Sequence, residues 1–126
     1  MPLAYWCVLI AALIPYALAK YAKTGSGSDN RYPREDYETL QPKQRRAYAA
    51  HQNALETFPI FAAAVIIAVT SGVSPGIVNG LAALYILLRI AHALLYVFNR
   101  PPLRSAAFAL AMAVNVAIFV LPAFKA

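Results

Sequence analysis

Four long apolar stretches, separated by polar or turn-forming segments, set the hydropathy pattern of the chain. They predict helices at about residues 2–22, 43–70, 77–98 and 103–124. Each stretch is long enough to cross the hydrocarbon core of a bilayer, which takes about 20 helical residues. The second and third connections are short, so consecutive helices are expected to run antiparallel. The pattern therefore predicts an all-α, integral membrane four-helix bundle of up-down topology, with residues 1–126 as a single transmembrane domain.

Local signals refine the ends of these helices. The first apolar stretch ends in A-L-A before Lys20, which resembles a signal-peptidase site. No Lys or Arg precedes the stretch, as a signal peptide would require, so we expect a retained helix. The polar segment at 20–44 has the composition of a loop, with T-G-S-G-S as its most flexible part. In the second helix, Pro59 predicts a kink near the preceding turn.

Composition supports a membrane location, because hydrophobic residues make up 61% of the chain and charged residues only 13%. A soluble domain has about 25% charged residues. The net charge is +6, but most basic residues lie just outside the apolar stretches, where positive charge sets membrane orientation. This placement argues against nucleic-acid binding. It predicts a multi-pass protein whose first and third loops face the cytoplasm, with both termini and the second loop outside.

Two of the predicted membrane helices carry polar side chains that need partners at membrane depth. In the second helix they lie at spacings of seven and three, on one helical face: Arg46, Asn53 and Glu56. In the third helix they lie at spacings of three and four, again on one face: Arg89, His92 and Tyr96. Glu56 and Arg89 carry opposite charges, so an ion pair between them would offset much of the cost of burying each.

These two faces, with Arg100 and Arg104 near the start of the fourth helix, predict a polar pocket with a cationic rim at the cytoplasmic end. Such a pocket suits an anionic or zwitterionic small molecule. The alternative is purely structural, because buried Glu–Arg pairs and intramembrane asparagines also lock helices together. For Asn115, a mid-membrane amide in the fourth helix, the structural interpretation is favoured. One cysteine and two histidines give a metal site little support.

Three segments resemble the MAPEG family, the membrane-associated proteins of eicosanoid and glutathione metabolism, which include microsomal glutathione transferase and prostaglandin E synthase. They read R-A-Y-A-A-H-Q-N-A-L-E-T-F-P-I-F at 46–61, R-I-A-H-A-L-L-Y at 89–96 and R-P-P-L-R-S at 100–105. D-N-R-Y-P-R at 29–34 is similar to the loop of the family's bacterial members. The resemblance implies a homotrimer in the bacterial inner membrane, with active sites between neighbouring subunits at the cytoplasmic side.

The resemblance also implies that the pocket holds glutathione as cofactor. Asn53 and Glu56 match residues that hold glutathione, with Glu56 taking its amino end. Arg46, at the head of the family motif, is placed to meet a glutathione carboxylate. The third helix contributes further positions of the same pocket. The full set of expected glutathione-binding residues is Arg46, Asn53, Glu56, Arg89, His92 and Tyr96.

For catalysis, the resemblance singles out the start of the fourth helix. Arg104 matches the arginine that stabilises the glutathione thiolate, and Ser105 matches the serine beside it in prostaglandin E synthase. The chemistry is reasonable, because a free thiol has a pKa of about 8.5 and an adjacent guanidinium lowers it. The chain also departs from the pattern. Ala49 and Gln52 stand where eicosanoid enzymes carry arginines, for which Arg45 or Arg31 are the candidate replacements.

Three functions follow as hypotheses. The first is a glutathione-dependent transferase or peroxidase that acts on lipophilic electrophiles entering from the bilayer, with Arg104 holding the thiolate. The second, motivated by Ala49 and Gln52, is a non-enzymatic trimeric membrane module that binds a lipid or small anion, or a subunit of a larger complex. The third is proton or ion transport along Glu56, Arg89 and His92, for which the outer half of the bundle offers little polar continuation.

Overall fold

The computed structural model describes residues 1–24 and 40–125, and this part of the chain contains four long α-helices. Their bounds are α1 Leu3–Lys23, α2 Pro42–Thr70, α3 Pro75–Val97 and α4 Pro101–Val120, followed by a short 3-10 helix at Leu121–Phe124. All four are long and apolar enough to cross a membrane. The predicted class, an all-α membrane four-helix bundle, is confirmed.

Three of these helices begin at a proline that the hydropathy pattern leaves outside the helix. Pro42, Pro75 and Pro101 occupy the first turns of α2, α3 and α4. Proline suits this position because its fixed φ is already helical and its missing N–H would have no intrahelical partner there. The first turns of α3 and α4 are therefore helical, two residues earlier than the predicted starts at 77 and 103.

The connection between α1 and α2 is shorter than the polar segment predicted at 20–44. α1 continues through Lys23, and Lys20 and Lys23 lie in its last turn, where positive charge interacts favourably with the helix dipole. α2 begins at Pro42, which makes residues 42–44 helical. The T-G-S-G-S stretch beyond Thr24 and the D-N-R-Y-P-R motif with its Arg31 lie outside the described residues.

α3 ends in a hydrogen-bonding pattern that fixes the direction of the following chain. Asn99 has a φ of 60°, and the N–H of Arg100 donates to the carbonyl of Leu95 at 2.9 Å. This is the Schellman motif, in which a residue in the left-handed conformation reverses the chain at a helix end. Asparagine tolerates that conformation better than most residues. The motif sets where α4 begins, and hence the position of Arg104, three residues after Pro101.

α2 and α3 form the centre of the bundle, each contacting all three other helices, while α1 and α4 lie on either side of them. More than half of the buried apolar residues are alanines, which let helix backbones approach closely in a membrane. Between the central helices, the ring of Tyr85 stacks on Phe61 with centroids 4.0 Å apart and planes 11° apart. Tyr85 is therefore a packing residue. Large apolar side chains project outward along all four helices, as a lipid-facing surface requires.

Two prolines lie inside helices rather than at their ends. α1 contains Pro15 and α2 runs through Pro59 as one continuous helix. The Nδ1 of His51 lies 2.7 Å from the carbonyl oxygen of Pro15, so this ring nitrogen carries the proton and donates. His51 thereby ties α2 to α1, which explains a histidine at membrane depth without a ligand.

Candidate functional site

Three helices line an open polar cavity of about 280 Å³ at the end of the bundle where α3 finishes and α4 starts. α2 contributes one lining residue, α3 two and α4 three. They are Asn53, His92, Tyr96, Arg104, Ser105 and Phe108. The structure thus brings together five of the eight residues predicted for the site. The other three, Arg46, Glu56 and Arg89, lie elsewhere around it.

The wall formed by α3 and α4 is built from aromatic rings packed against one another and a cation. His92 is only 3% exposed and packs edge-on against Tyr96, with centroids 5.7 Å apart and planes 81° apart. The guanidinium carbon of Arg104 lies 4.4 Å from the centre of the Tyr96 ring, within the range of a cation–π interaction. Because His92 and Tyr96 are four residues apart, both rings project from the same side of α3 toward α4. Arg104 is therefore held with its charge facing the cavity.

Phe108 completes the apolar side of the cavity, and it was not among the predicted site residues. Its ring centroid lies 6.0 Å from that of His92. A signal was available in the sequence, because Phe108 follows Arg104 by four residues and must share its helical face. A search for helical spacing among polar residues alone does not detect an apolar lining residue such as Phe108.

A buried cation, Arg89, lies beneath the cavity next to Asn53. Arg89 is 5% exposed, and its Nη2 donates to Oδ1 of Asn53 at 2.7 Å. The predicted ion pair between Glu56 and Arg89 is not formed within the chain, because Glu56 is exposed on the outer surface of α2. The amide of Asn53 takes the place that the prediction gave to the carboxylate. The proposed transport path through Glu56, Arg89 and His92 is interrupted for the same reason.

Helix geometry explains why Glu56 faces outward. The buried positions of α2 recur every three or four residues, and Ala54 and Thr57 belong to this stripe. Asn53 lies at the edge of the stripe. At 100° per residue, Glu56 lies a further 60° around the helix, away from α3. It shares its exposed side with Gln52 and Ile60. Asn53 and Glu56 are three residues apart and therefore lie near one another, but Asn53 lies at the edge of the buried stripe and Glu56 faces outward.

Arg46 stabilises a helix end instead of lining the cavity. Its Nε donates to the carbonyl of Val97 at 3.1 Å, in the last turn of α3. The last carbonyls of a helix have no intrahelical partner, and a basic side chain satisfies them well. Arg100, which precedes the first turn of α4, is exposed and also lies outside the cavity lining.

Asn115 was predicted to join helices through its amide, and the structure does not place a partner beside it. The residue is fully buried in α4. Neither its Nδ2 nor its Oδ1 has a hydrogen-bond partner among the described residues. An intramembrane amide without a partner contributes little to helix association. The structural interpretation of Asn115 as a hydrogen-bonded lock is therefore not supported.

The charge balance of the cavity favours an anion. Glu56 is the one acidic side chain among the described residues, and it does not line the cavity. Arg104 lies in the wall and Arg89 lies directly beneath Asn53. Positive charge in a low-dielectric, partly enclosed space attracts an anionic group more strongly than it would in water. The cavity can therefore hold a carboxylate, a thiolate or a similar anion against the Arg104 guanidinium.

Residues 3–124 match the family model described as the MAPEG family, and the match includes every residue of the cavity. No curated protein and no solved structure matched the chain.

Proposed function

Because the chain belongs to the MAPEG family, we propose that it is a glutathione-dependent membrane transferase or peroxidase that acts on lipophilic electrophiles. The observation that carries the proposal is the position of Arg104, whose guanidinium is fixed over Tyr96 in a polar cavity that also contains Asn53 and His92. The cavity lies within a bundle whose outer surface is apolar. A water-soluble thiol and a membrane-soluble acceptor can therefore meet there.

The donor set of the cavity suits part of a glutathione molecule. Arg104 offers a cation, Ser105 and Tyr96 offer hydroxyls, and His92 offers a ring nitrogen. Glutathione has two carboxylates and a thiol that match such donors. Its ammonium group, however, needs an anion, which this lining lacks. A cavity of about 280 Å³ also lies just below the roughly 300–1,000 Å³ usual for small-molecule sites. The single chain thus supplies part of a binding site.

A neighbouring copy of the chain is the proposed source of the missing part. Glu56 lies on an exposed side of α2 among apolar residues such as Leu55 and Ile60. A carboxylate that faces lipid costs a few kcal/mol, so this side is expected to pack against protein. In the homotrimer that the family resemblance implies, Glu56 would reach the glutathione ammonium across the subunit boundary. Gln52, which departs from the eicosanoid enzymes, lies on this same outward side.

Arg104 would then act on the thiol. A free thiol is mostly protonated at neutral pH, because its pKa is about 8.5. A guanidinium beside the sulfur favours the thiolate, and the thiolate is the nucleophile. In the transferase reaction the sulfur forms a bond to the electrophilic carbon of the acceptor, which loses its leaving group. In the peroxidase reaction two glutathione molecules would supply the two electrons and two protons that reduce a lipid hydroperoxide to the alcohol and water, and their two sulfurs would join as the disulfide.

The test uses purified full-length protein in detergent micelles, with a chlorodinitrobenzene-type electrophile and a lipophilic hydroperoxide as alternative acceptors. Arg104→Ala is expected to lower kcat/KM by about 100-fold, the usual effect of removing one electrostatic contact to a developing charge. Arg100→Ala is the matched control, since Arg100 is a nearby arginine outside the cavity lining. Equal rates for wild type and Arg104→Ala would remove Arg104 from the mechanism.

A second candidate function is a non-enzymatic module that binds a small anion. One observation favours it. Arg46, which was expected to meet a glutathione carboxylate, donates to the carbonyl of Val97 at the end of α3, so Arg104 is the cation among the residues that line the cavity. Calorimetry with millimolar glutathione separates the two functions. Binding of glutathione supports the enzyme, whereas a folded protein that binds other anions but no glutathione supports the module.

A further inference from the structure

A second cavity lies at the same end of the bundle and is almost wholly apolar. It has a volume of about 290 Å³ and is formed by the end of α1, the start of α2 and the last turns of α3. The apolar and aromatic residues along it are Leu18, Tyr21, Ala93, Leu94, Val97 and Phe98. Leu94 is 53% exposed and Phe98 is 59% exposed, so the cavity is a groove on the outside of the bundle. We refer to it as the α1–α3 groove.

Among the described residues, one charged side chain lines this groove. The ammonium nitrogen of Lys43 lies 4.7 Å from the centre of the Phe98 ring, in a cation–π arrangement. Lys43 is half-buried, because its aliphatic stem lies along apolar surface while the ammonium reaches the mouth of the groove. The arrangement holds a positive charge at one end of an apolar channel.

The base of the groove is preformed. Ala22, Ala47 and Val97 form a small buried cluster there, and Leu18 packs against it. Arg46 adds a hydrogen bond to the carbonyl of Val97 at 3.1 Å. A ligand would therefore find the groove already shaped, without first having to order the helices.

The described residues around the groove carry a net positive charge. The described basic residues on the adjoining parts of α1 and α2 are Lys20, Lys23, Lys43, Arg45 and Arg46. Glu56, the one acidic residue in the described part of the chain, lies well along α2 from this end. Clusters of basic residues beside a membrane helix attract anionic lipid headgroups. The positive charge of these described residues and the apolar character of the groove together favour an amphiphilic ligand with an anionic headgroup.

We propose that the α1–α3 groove binds an anionic glycerophospholipid. One acyl chain lies along Leu94 and Val97, and the headgroup phosphate contacts the Lys43 ammonium. The volume admits part of one chain, and the rest of the lipid remains in the bilayer. This site lies on the opposite side of α3 from the polar cavity, so its occupation does not depend on the proposed enzymatic function.

The test is native mass spectrometry of the full-length protein in a neutral detergent, titrated with dioleoyl phosphatidylglycerol or dioleoyl phosphatidylcholine. We expect tighter binding of the anionic lipid. Lys43→Gln is expected to weaken phosphatidylglycerol binding about fivefold, the effect of losing one basic residue near a headgroup, with little change for phosphatidylcholine. Ala93→Phe fills the groove and is expected to weaken both lipids. Inorganic phosphate at millimolar concentration is expected not to compete.

Matched controls remove the same groups elsewhere. Lys125→Gln removes a cation at the other end of the bundle, where Lys125 donates to the carbonyl of Ser71. Ala109→Phe adds a ring to an exposed position of α4. Both are expected to bind phosphatidylglycerol as wild type does. Three results would overturn the proposal: equal binding of the two lipids by wild type, unchanged binding by Ala93→Phe, or displacement by phosphate alone. Unchanged binding by Ala93→Phe means that a second copy or another segment covers the groove.

Discussion

The polar cavity and the α1–α3 groove are similar in volume and lie at the same end of the bundle, but they differ in chemistry. Their volumes are about 280 Å³ and 290 Å³, and both use the last turns of α3. Each also holds a cation over an aromatic ring, Arg104 over Tyr96 and Lys43 over Phe98. The polar cavity has five polar lining residues of six, whereas Lys43 and the hydroxyl of Tyr21 are the polar groups of the groove.

The difference shows how one helix serves two environments. His92 and Tyr96 project from one side of α3 toward α4, while Ala93 and Val97 project from the other side toward α1. A single step of 100° along the helix separates a residue of the polar cavity from a residue of the groove. The type of cation follows the same division. Arginine offers a rigid fork of donors that positions an anion, whereas lysine is a mobile point charge on a long apolar stem.

The largest effect is expected from Asn53→Ala, which breaks the polar cavity and leaves the groove intact. The substitution removes the acceptor for the buried Arg89 guanidinium, whose Nη2 donates to Oδ1 of Asn53 at 2.7 Å. Hydrogen bonds to charged groups are worth about 1.5–3 kcal/mol, so thermal unfolding in detergent is expected to show a loss of about 2 kcal/mol. Gln41→Ala, at the exposed residue before α2 whose side chain makes no cap hydrogen bond, is the control and is expected to change stability by less than about 0.5 kcal/mol. Equal stability of the two variants would show that Arg89 has another adequate acceptor.

Exchanging arginine and lysine between the two sites tests whether each site needs the rigid donor geometry of a guanidinium or only a positive charge. Arg104→Lys is expected to lower kcat/KM for conjugation about tenfold, because lysine keeps the charge and loses the fixed geometry over Tyr96. Lys43→Arg is expected to leave phosphatidylglycerol binding within about twofold of wild type, because that site needs only positive charge. Full activity of Arg104→Lys would indicate that charge alone suffices in the polar cavity.

The smallest effect is expected at the opposite end of the bundle, where a change should affect neither cavity. Gly72 ends α2 with a φ of 78°, and the N–H of Val73 donates to the carbonyl of Ala68. A β-carbon at Gly72 would lie 2.8 Å from the Lys125 ammonium nitrogen, which can move because it is the end of a flexible side chain. Gly72→Ala is therefore expected to cost about 1 kcal/mol, mainly from the left-handed conformation. Conjugation rate and lipid binding are expected to match wild type, and a change in either would link the two ends of the bundle.

Much of the fold follows from short-range properties of the chain. Apolar stretches of membrane length predict the four helices, because a spanning segment must satisfy its backbone hydrogen bonds internally. The first turns of α3 and α4 were missed because the hydropathy pattern leaves Pro75 and Pro101 outside the apolar stretches, although these prolines begin the helices. The same spacing rules found Asn53, His92 and Tyr96 of the polar cavity, since residues four apart on α3 must share a side. The family resemblance, and not the spacing, singled out Arg104 and Ser105.

Composition and the fixed period of a helix are enough to predict the four helices, their membrane-spanning length and which residues lie near one another on a helix surface. Which polar groups meet depends on how the helices pack. Asn53 rather than Glu56 receives the Arg89 hydrogen bond, and Arg46 caps α3 rather than facing the cavity. The reason is that the rotation of α2 about its own axis is set by how its alanine-rich stripe packs against α3 and α1. That rotation places Glu56 on the outer surface. The spacing of residues along α2 alone does not predict the rotation.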